Sequence, residues 1–364
     1  MLIDIIAGAR PNFMKIAPII HEIKGAQLKG IDIHYRLVHT GQHYDKKMSG
    51  SFFEELNIPD PDINLESGSG TQAEQTAKIM VRYERLLLDK PCDLTLVVGD
   101  VTSTMACSIA AKKLNIKVAH VEAGIRSFDL TMPEEINRMV TDSITDYFYT
   151  TSSVANKNLE KLGVKSESIK FVGNTMIDTL LKNIDRLKKP EIWDKLNLIA
   201  GKYIVMTLHR PANVDEEHKL AELVNEIGEA SETYPLIFPV HPRTKQILEK
   251  AGISHANLNF IDPLGYLEFN YLVKESMAVV TDSGGITEET TVMGIPCLTI
   301  HDNTERPETI SVGTNELIGT DPKNIRPNMQ RIISGKWKKG SIPELWDGCA
   351  AKRIVEHIVK EVLL

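Results

Sequence analysis

Short apolar runs rich in β-branched residues alternate with longer amphipathic stretches along the whole chain. In the first half the pattern predicts strands over Leu2–Ile6, Tyr35–Val38, Leu94–Val98, Lys117–Val121, Tyr147–Thr151 and Lys170–Val172. In the second half it predicts them over Tyr203–Thr207, Leu236–Val240, Leu258–Ile261, Ala278–Thr281, Cys297–Thr299 and Asn315–Ile318. Helices are expected between them, as over Ser103–Leu114 and Glu216–Glu229. Several runs, such as Leu94-Thr-Leu-Val-Val, are apolar almost throughout, which suits parallel strands covered by helices on both faces. A βαβα series repeated twice predicts two doubly wound α/β domains facing a cleft. The expected division is 1–170, 171–346 and a C-terminal helix over 347–364 that packs back on the first domain.

Open parallel sheets bind ligands beyond the carboxyl ends of their strands. The residues just beyond each strand are therefore the candidates for chemistry. After the first strand comes Gly8-Ala-Arg-Pro-Asn-Phe-Met-Lys15, a helix start with two cations, Arg10 and Lys15, suited to an anion. After the second comes His39-Thr-Gly-Gln42-His43, which reads equally well as an ordinary polar loop. Asp100 comes after Leu94–Val98, where an acidic residue commonly caps a helix. Glu122 comes after Lys117–Val121, and a carboxylate there needs a partner. Glu134 and Glu135 open a helix behind Pro133. Asp100, Glu122 and Glu134 thus share one sheet edge, and clustered carboxylates can divide acid and base roles.

In the second half, Leu208-His209-Arg210-Pro-Ala-Asn213 and His241-Pro-Arg243 come after two strands. Asp282-Ser283-Gly284-Gly285 opens a helix whose backbone amides and hydroxyl suit a diphosphate. Glu289, two turns in, could accept hydrogen bonds from ribose hydroxyls. Arg306, beyond the strand Cys297–Thr299, is available to phosphate.

Composition narrows the field. With 364 residues, 42% hydrophobic and 25% charged, the chain is globular rather than disordered. Its net charge of −7 disfavours general nucleic-acid binding. The four cysteines form no C-x-x-C pair, so a zinc ribbon or redox motif is not expected and free thiols are. No apolar run is long enough to span a membrane, and the N-terminus lacks a basic leader, so a cytoplasmic location is expected. Gly68-Ser-Gly70-Thr-Gln-Ala73 matches a loose dinucleotide fingerprint, but no strand precedes it. No Walker A, G-x-S-x-G or H-E-x-x-H sequence occurs.

In order and spacing these motifs resemble the non-hydrolysing UDP-N-acetylglucosamine 2-epimerases. The resemblance runs from Gly8-Ala-Arg-Pro through Thr40-Gly-Gln-His, Gly99-Asp, His120-Val-Glu-Ala-Gly, Pro133-Glu-Glu-Ile-Asn-Arg and Gly173-Asn-Thr. It continues through Leu208-His-Arg, Pro239-Val-His-Pro, Asp282-Ser-Gly-Gly-Ile-Thr-Glu-Glu and Thr304-Glu-Arg-Pro-Glu. It implies the two-domain GT-B fold and reversible inversion at C2 of UDP-GlcNAc to UDP-ManNAc. The route would be elimination of UDP to 2-acetamidoglucal and re-addition. The resemblance further implies Asp100, Glu122 and Glu134 as catalytic carboxylates and His209 as an acid or electrostatic helper at the diphosphate. Arg10, Lys15, His241, Ser283, Gly284, Gly285, Glu289 and Arg306 are implied to contact the substrate, with Phe269 near the uracil. Gln42 and Arg210 match positions that could bind a second, activating UDP-GlcNAc. The neighbours differ here, however, reading His209-Arg-Pro-Ala-Asn213. A homodimer is expected, with no cofactor and no metal.

Three other activities compete. Thr40-Gly-Gln-His-Tyr-Asp and Phe52-Phe-Glu-Glu-Leu resemble a branch acting on a UDP-2,3-diacetamido-glucuronate sugar. A hydrolysing 2-epimerase would release ManNAc and UDP. A GT-B glycosyltransferase would need an acceptor.

Overall fold

The computed structural model describes residues 1–41, 55–214, 216–240 and 242–362. The chain divides into two compact units. The first joins Met1–Lys182 to Glu344–Leu364, and the second is Asn183–Pro343.

The first unit holds a seven-stranded sheet. Its strands are β1 (Leu2–Ala7), β2 (His34–His39), β3 (Ile63–Asn64), β4 (Leu94–Val98), β5 (Lys117–Val121), β6 (Tyr147–Thr150) and β7 (Ile169–Phe171). Their order is β3-β2-β1-β4-β5-β6-β7, and every pairing is parallel. The second unit holds β8 (Ile204–Thr207), β9 (Leu236–Pro239), β10 (Leu258–Ile261), β11 (Ala278–Thr281), β12 (Cys297–Thr299) and β13 (Asn315–Leu317). Their order is β10-β9-β8-β11-β12-β13, again wholly parallel. Each sheet therefore winds outward in both directions from one central pair, β1 and β4 or β8 and β11. That pair marks the topological switch point, where such sheets bind ligands.

The apolar runs form these strands because both faces of each sheet are covered. In the second unit Ile204, Met206 and Val280 enter one core with the helix Glu217–Ala230, while Val205 and Val279 enter the opposite one. Alternate residues of one strand thus feed both layers. The expected strands match the observed ones to within one residue at either end. β3, two residues long, carries no readable pattern and was not expected.

The helix Thr175–Asn183 belongs, but for its last residue, with the first unit, so the units divide after Lys182 and not after residue 170, where the sequence pattern places the division. Thr179 Oγ1 donates to Met14 O (2.6 Å) and thereby ties that helix to the helix Arg10–Leu28. The tail from Glu344 also belongs to the first unit. Trp346 is buried and donates to Thr151 O at 3.0 Å. The expected single terminal helix is α-helical only over Ala350–His357 and continues as a π-helical turn, Ile358–Val362. The change falls just after His357, whose Nδ1 lies 2.9 Å from the Tyr149 hydroxyl. Among the described residues, no helix is long and apolar enough to cross a membrane.

Candidate active site

In the first unit the loops after β1 and β4 flank the switch point. Asn12 shapes the first of them. Its Oδ1 accepts from Gly8 N (3.0 Å) and Ala9 N (2.9 Å), and its Nδ2 donates to Val98 O (3.4 Å) at the end of β4. Lys15, one turn further along the helix Arg10–Leu28, reaches back over this turn. Its Nζ lies 2.6 Å from Glu122 Oε2 beyond β5, and both side chains are buried or nearly so. Gly99 lies beneath them at φ 65°, and a Cβ there would stand 2.9 Å from Lys15 Nζ. Glycine suits both that backbone and that closeness, and a Cβ there would push the Lys15 ammonium aside.

Asp100 is next in the chain. Its Oδ2 accepts from Arg138 Nη2 at 2.5 Å, and its carbonyl accepts from Asn137 Nδ2 at 2.8 Å. Both donors come from the helix Pro133–Ile144. Glu134 is half-buried in the first turn of that helix, one turn before Arg138 and on the same side. Glu135 points elsewhere. Its buried carboxylate accepts from Ser127 N (2.9 Å), Phe128 N (3.2 Å) and Arg138 Nη1 (2.9 Å), and so holds the loop after β5.

A buried pair supports this edge from within the sheet. His120 Nε2 lies 2.8 Å from Gly99 O, and its Nδ1 lies 2.7 Å from Asp142 Oδ1. Arg126 Nη2 meets Asp142 Oδ2 at 2.6 Å. Burial pushes the Asp142 carboxyl up, but His120 and Arg126 outweigh it and hold the group below its ordinary value. Asp142 is therefore a carboxylate and Gly99 O is a carbonyl, so both ring nitrogens of His120 face acceptors. In the sequence His120 stands within a motif but has no assignable role, because its partner lies on another element.

In the second unit the loop after β8 and the loop after β11 flank the switch point. Asp282, fully buried, faces the His209–Asn213 segment. It accepts from His209 N (3.0 Å), Arg210 N (2.9 Å) and Asn213 Nδ2 (3.0 Å), and its Oδ1 lies 2.6 Å from His209 Nδ1. Arg210 turns inward. Its Nε donates to Asp282 O (2.8 Å) and its Nη1 to His301 Nε2 (2.6 Å), with Glu305 Oε1 3.7 Å from Nη2.

Ser283 is the N-cap of the helix Gly284–Met293, and its side chain makes no capping bond. Its own amide donates to Thr281 Oγ1 at 3.0 Å. Gly284 and Gly285 form the first turn of the helix. Glu289, buried on the same helix, accepts from the Tyr266 hydroxyl at 2.8 Å. Burial, with the neighbouring Glu288 charge, pushes its carboxyl up to about 7 against the hydrogen bonds from Tyr266 and Asn270. Arg306 is buried and its Nε pairs with Glu288 Oε1. Phe269 is half-buried against the core that contains Tyr203 and Leu272.

The sequence-predicted residues therefore gather in two sets. Lys15, Glu122 and Asp100 converge at the first switch point, with Glu134 on the helix that supplies Arg138. His209, Arg210, Ser283, Gly284 and Gly285 gather at the second, with Glu289 and Arg306 on the elements behind. Gln42 and His241 lie outside the described residues, as does the side chain of Arg10. Arg138, Asp142 and Asp282 were not singled out from sequence. The signal in the sequence that points to Asp282 is a carboxylate directly after an apolar strand.

A family model described as UDP-N-acetylglucosamine 2-epimerase matches residues 26–359. The UDP-N-acetylglucosamine 2-epimerase of Methanocaldococcus jannaschii is 40% identical, over 98% of each chain. A crystal structure of the enzyme from that organism, in complex with UDP-GlcNAc and UDP, superposes with a TM-score of 0.86, covering 98% of this chain and 99% of the other. The UDP-2,3-diacetamido-2,3-dideoxy-D-glucuronate 2-epimerase of Pseudomonas aeruginosa is 36% identical, over 99% of this chain and all of the relative.

Proposed function

The chain belongs to the UDP-N-acetylglucosamine 2-epimerase family, with its GT-B fold class, and from that premise we propose that it converts UDP-GlcNAc reversibly to UDP-ManNAc without releasing the free sugar. The observation that carries the reading is the buried Lys15–Glu122 pair at the first switch point, beside Asp100 and Arg138. It supplies carboxylates of the kind that proton transfer at a sugar carbon requires.

The C2 proton is not next to a carbonyl, so deprotonation alone is unfavourable. As the C1–O bond to UDP breaks, the developing oxocarbenium acidifies C2. Loss of the C2 proton to a carboxylate and of UDP from C1 leaves 2-acetamidoglucal. Return of UDP to C1, with a proton delivered to the opposite face of C2, gives the epimer. Glu122, Asp100 and Glu134 are the groups proposed to move protons. Lys15 and Arg138 hold two of those carboxylates in place.

His209, Ser283 and the amides of Gly284 and Gly285 are proposed to take the diphosphate, where negative charge grows as the bond breaks. Glu289 is proposed to take the ribose and Phe269 to lie near the uracil. Arg306, Arg10 and His241 belong to the same proposed contact set. For Arg306 the Glu288 pair means that its charge is already shared before any phosphate arrives. Arg210 and Gln42 are proposed at most as a site for a second substrate molecule. The homodimer and the cytoplasmic location belong to the same proposal.

Proton NMR with UDP-GlcNAc in D₂O tests the reading. Growth of UDP-ManNAc carrying deuterium at C2 is the expected result. Free ManNAc with UDP would mean the hydrolysing reaction instead. The 36% identity to the Pseudomonas enzyme makes the diacetamido-glucuronate sugar the second substrate to assay. Turnover of that sugar alone would reassign the specificity.

A further inference from the structure

We propose that Asp282 is a positioning residue that fixes the ring orientation and tautomer of His209, so that Nε2 is the atom presented to the leaving diphosphate. This deepens the epimerase reading and rests on it for the identity of the diphosphate.

Asp282 comes directly after β11, and the His209 segment comes after β8, the two central strands of the second sheet. Among the described residues, the donors to its carboxylate come from residues 209–213: two amides, the Asn213 amide group and the His209 ring. None of them belongs to the helix Gly284–Met293 that comes next, so this is not the ordinary aspartate cap of that helix.

A carboxylate can only accept. The 2.6 Å contact from Oδ1 to His209 Nδ1 therefore requires the proton on Nδ1. Burial alone would push the Asp282 carboxyl up, but His209, Asn213 and the Arg210 amide hold it below its ordinary value. It stays an acceptor at neutral pH.

The ring itself is 62% exposed, while Asp282 is fully buried. An exposed imidazole has many rotamers, and one buried anion at Nδ1 selects among them. Nε2 is then left for the substrate, to donate a proton or a hydrogen bond where charge develops. The same logic orients the histidine of a Ser-His-Asp triad, where exchanging the aspartate for asparagine imposes the wrong tautomer.

The amide bonds from His209 and Arg210 also give Asp282 a share in shaping the loop, and the experiment must separate that share from its action on the ring. The variants D282N and H209N and the double variant are assayed with UDP-GlcNAc. In parallel, ¹⁵N-histidine-labelled wild type and D282N are examined by NMR with UDP bound. D282N is expected to lose roughly 10²–10⁴ in kcat with KM changed only a few-fold. The double variant is expected to be slower than H209N by far less than D282N slows the wild type, because the part of the effect that runs through the ring is already lost and only the share in shaping the loop remains. The wild-type His209 signal is expected to report a protonated Nδ1, and the D282N signal to lose that signature.

A further drop on adding D282N to H209N, equal to its effect in the wild type, would overturn the proposal. So would an unprotonated Nδ1 in the wild type. If D282N does not fold, the wild-type tautomer decides alone. If the wild type leaves UDP-GlcNAc unchanged, the epimerase reading fails, and the tautomer measurement still judges Asp282.

Discussion

Glu122 holds a backbone conformation that few residues with a side chain adopt, φ 70°, directly after a fully parallel strand. The left-handed region costs such a residue about 1–2 kcal/mol. A residue kept there by its surroundings is a reason to look for chemistry. The conformation brings the carboxylate onto Lys15 Nζ. Glu122→Gln keeps the shape and removes the base, so turnover with UDP-GlcNAc should fall roughly 10²–10⁴-fold. Turnover within a few-fold of the wild type would take Glu122 off the list. Glu289 offers a second test at this scale. Its carboxyl, pushed up to about 7 by burial, changes charge near neutrality. If ribose hydroxyls donate to it, UDP affinity measured by calorimetry should rise as pH increases through about 7. In Glu289→Gln only the pH dependence that comes from the ionisation of the diphosphate itself should remain. Both carboxylates were visible in the sequence as acids beyond apolar strands or on a glycine-led helix. Their contacts were not visible, because Lys15 and Tyr266 lie far from them along the chain.

Parallel strands covered on both faces leave continuous apolar runs, so the central elements were legible from sequence. β3 was not, since Ile63–Asn64 is held by its pairing with Val38 and His39 and not by its own pattern. The same limit applies where elements meet. Gly99 reads as a turn glycine, and only the fold shows that Lys15 Nζ occupies the space of its missing side chain. Gly99→Ala should cost about 1–2 kcal/mol in a denaturant titration through its φ of 65°. It should cost turnover as well, by displacing Lys15 from Glu122. The start of the terminal helix shows a different kind of junction. Asp178, on the helix Thr175–Asn183, accepts from Ala350 N (3.1 Å) and Ala351 N (2.7 Å), capping that helix from another element. Burial pushes its carboxyl up to about 6 from 3.8, despite those two bonds. A carboxyl raised on folding stabilises below its unfolded value, and that contribution is lost as pH rises through its folded value. Comparing the wild type with Asp178→Asn by denaturant titration at pH 4 and pH 7 isolates the effect. Relative to the variant, the wild type should be about 1–3 kcal/mol more stable at the lower pH. An equal difference at both would refute it.

At the scale of the whole molecule, the second unit is an insertion within the first. Residues 183–343 are one continuous stretch, whereas the first unit needs both ends of the chain. Apolar residues at helical spacing announce the terminal helix, while its expected place on the first domain does not follow from that spacing alone. The host shows only in packing, where Ala350, Ala351, Ile354, Val355 and Ile358 are all buried and the helix lies against Arg10–Leu28. Gly173 adds a contact only glycine tolerates there, since a Cβ would stand 2.0 Å from Leu345 O. Removing the tail would take away the apolar cover that Trp346 and these side chains provide and expose apolar residues of the helix Arg10–Leu28. At about 1.5–3 kcal/mol for each large side chain, that loss is comparable to the roughly 5–15 kcal/mol by which folded proteins are stable. Two fragments should therefore behave differently. Residues 183–343 alone should unfold in one cooperative transition, monitored by circular dichroism. Residues 1–182 alone should show no such transition and should regain one when residues 344–364 are joined to them through a flexible linker. A cooperative transition in 1–182 without the tail would mean that its own core suffices. The tail would then be an accessory of the first unit and not a part of its fold.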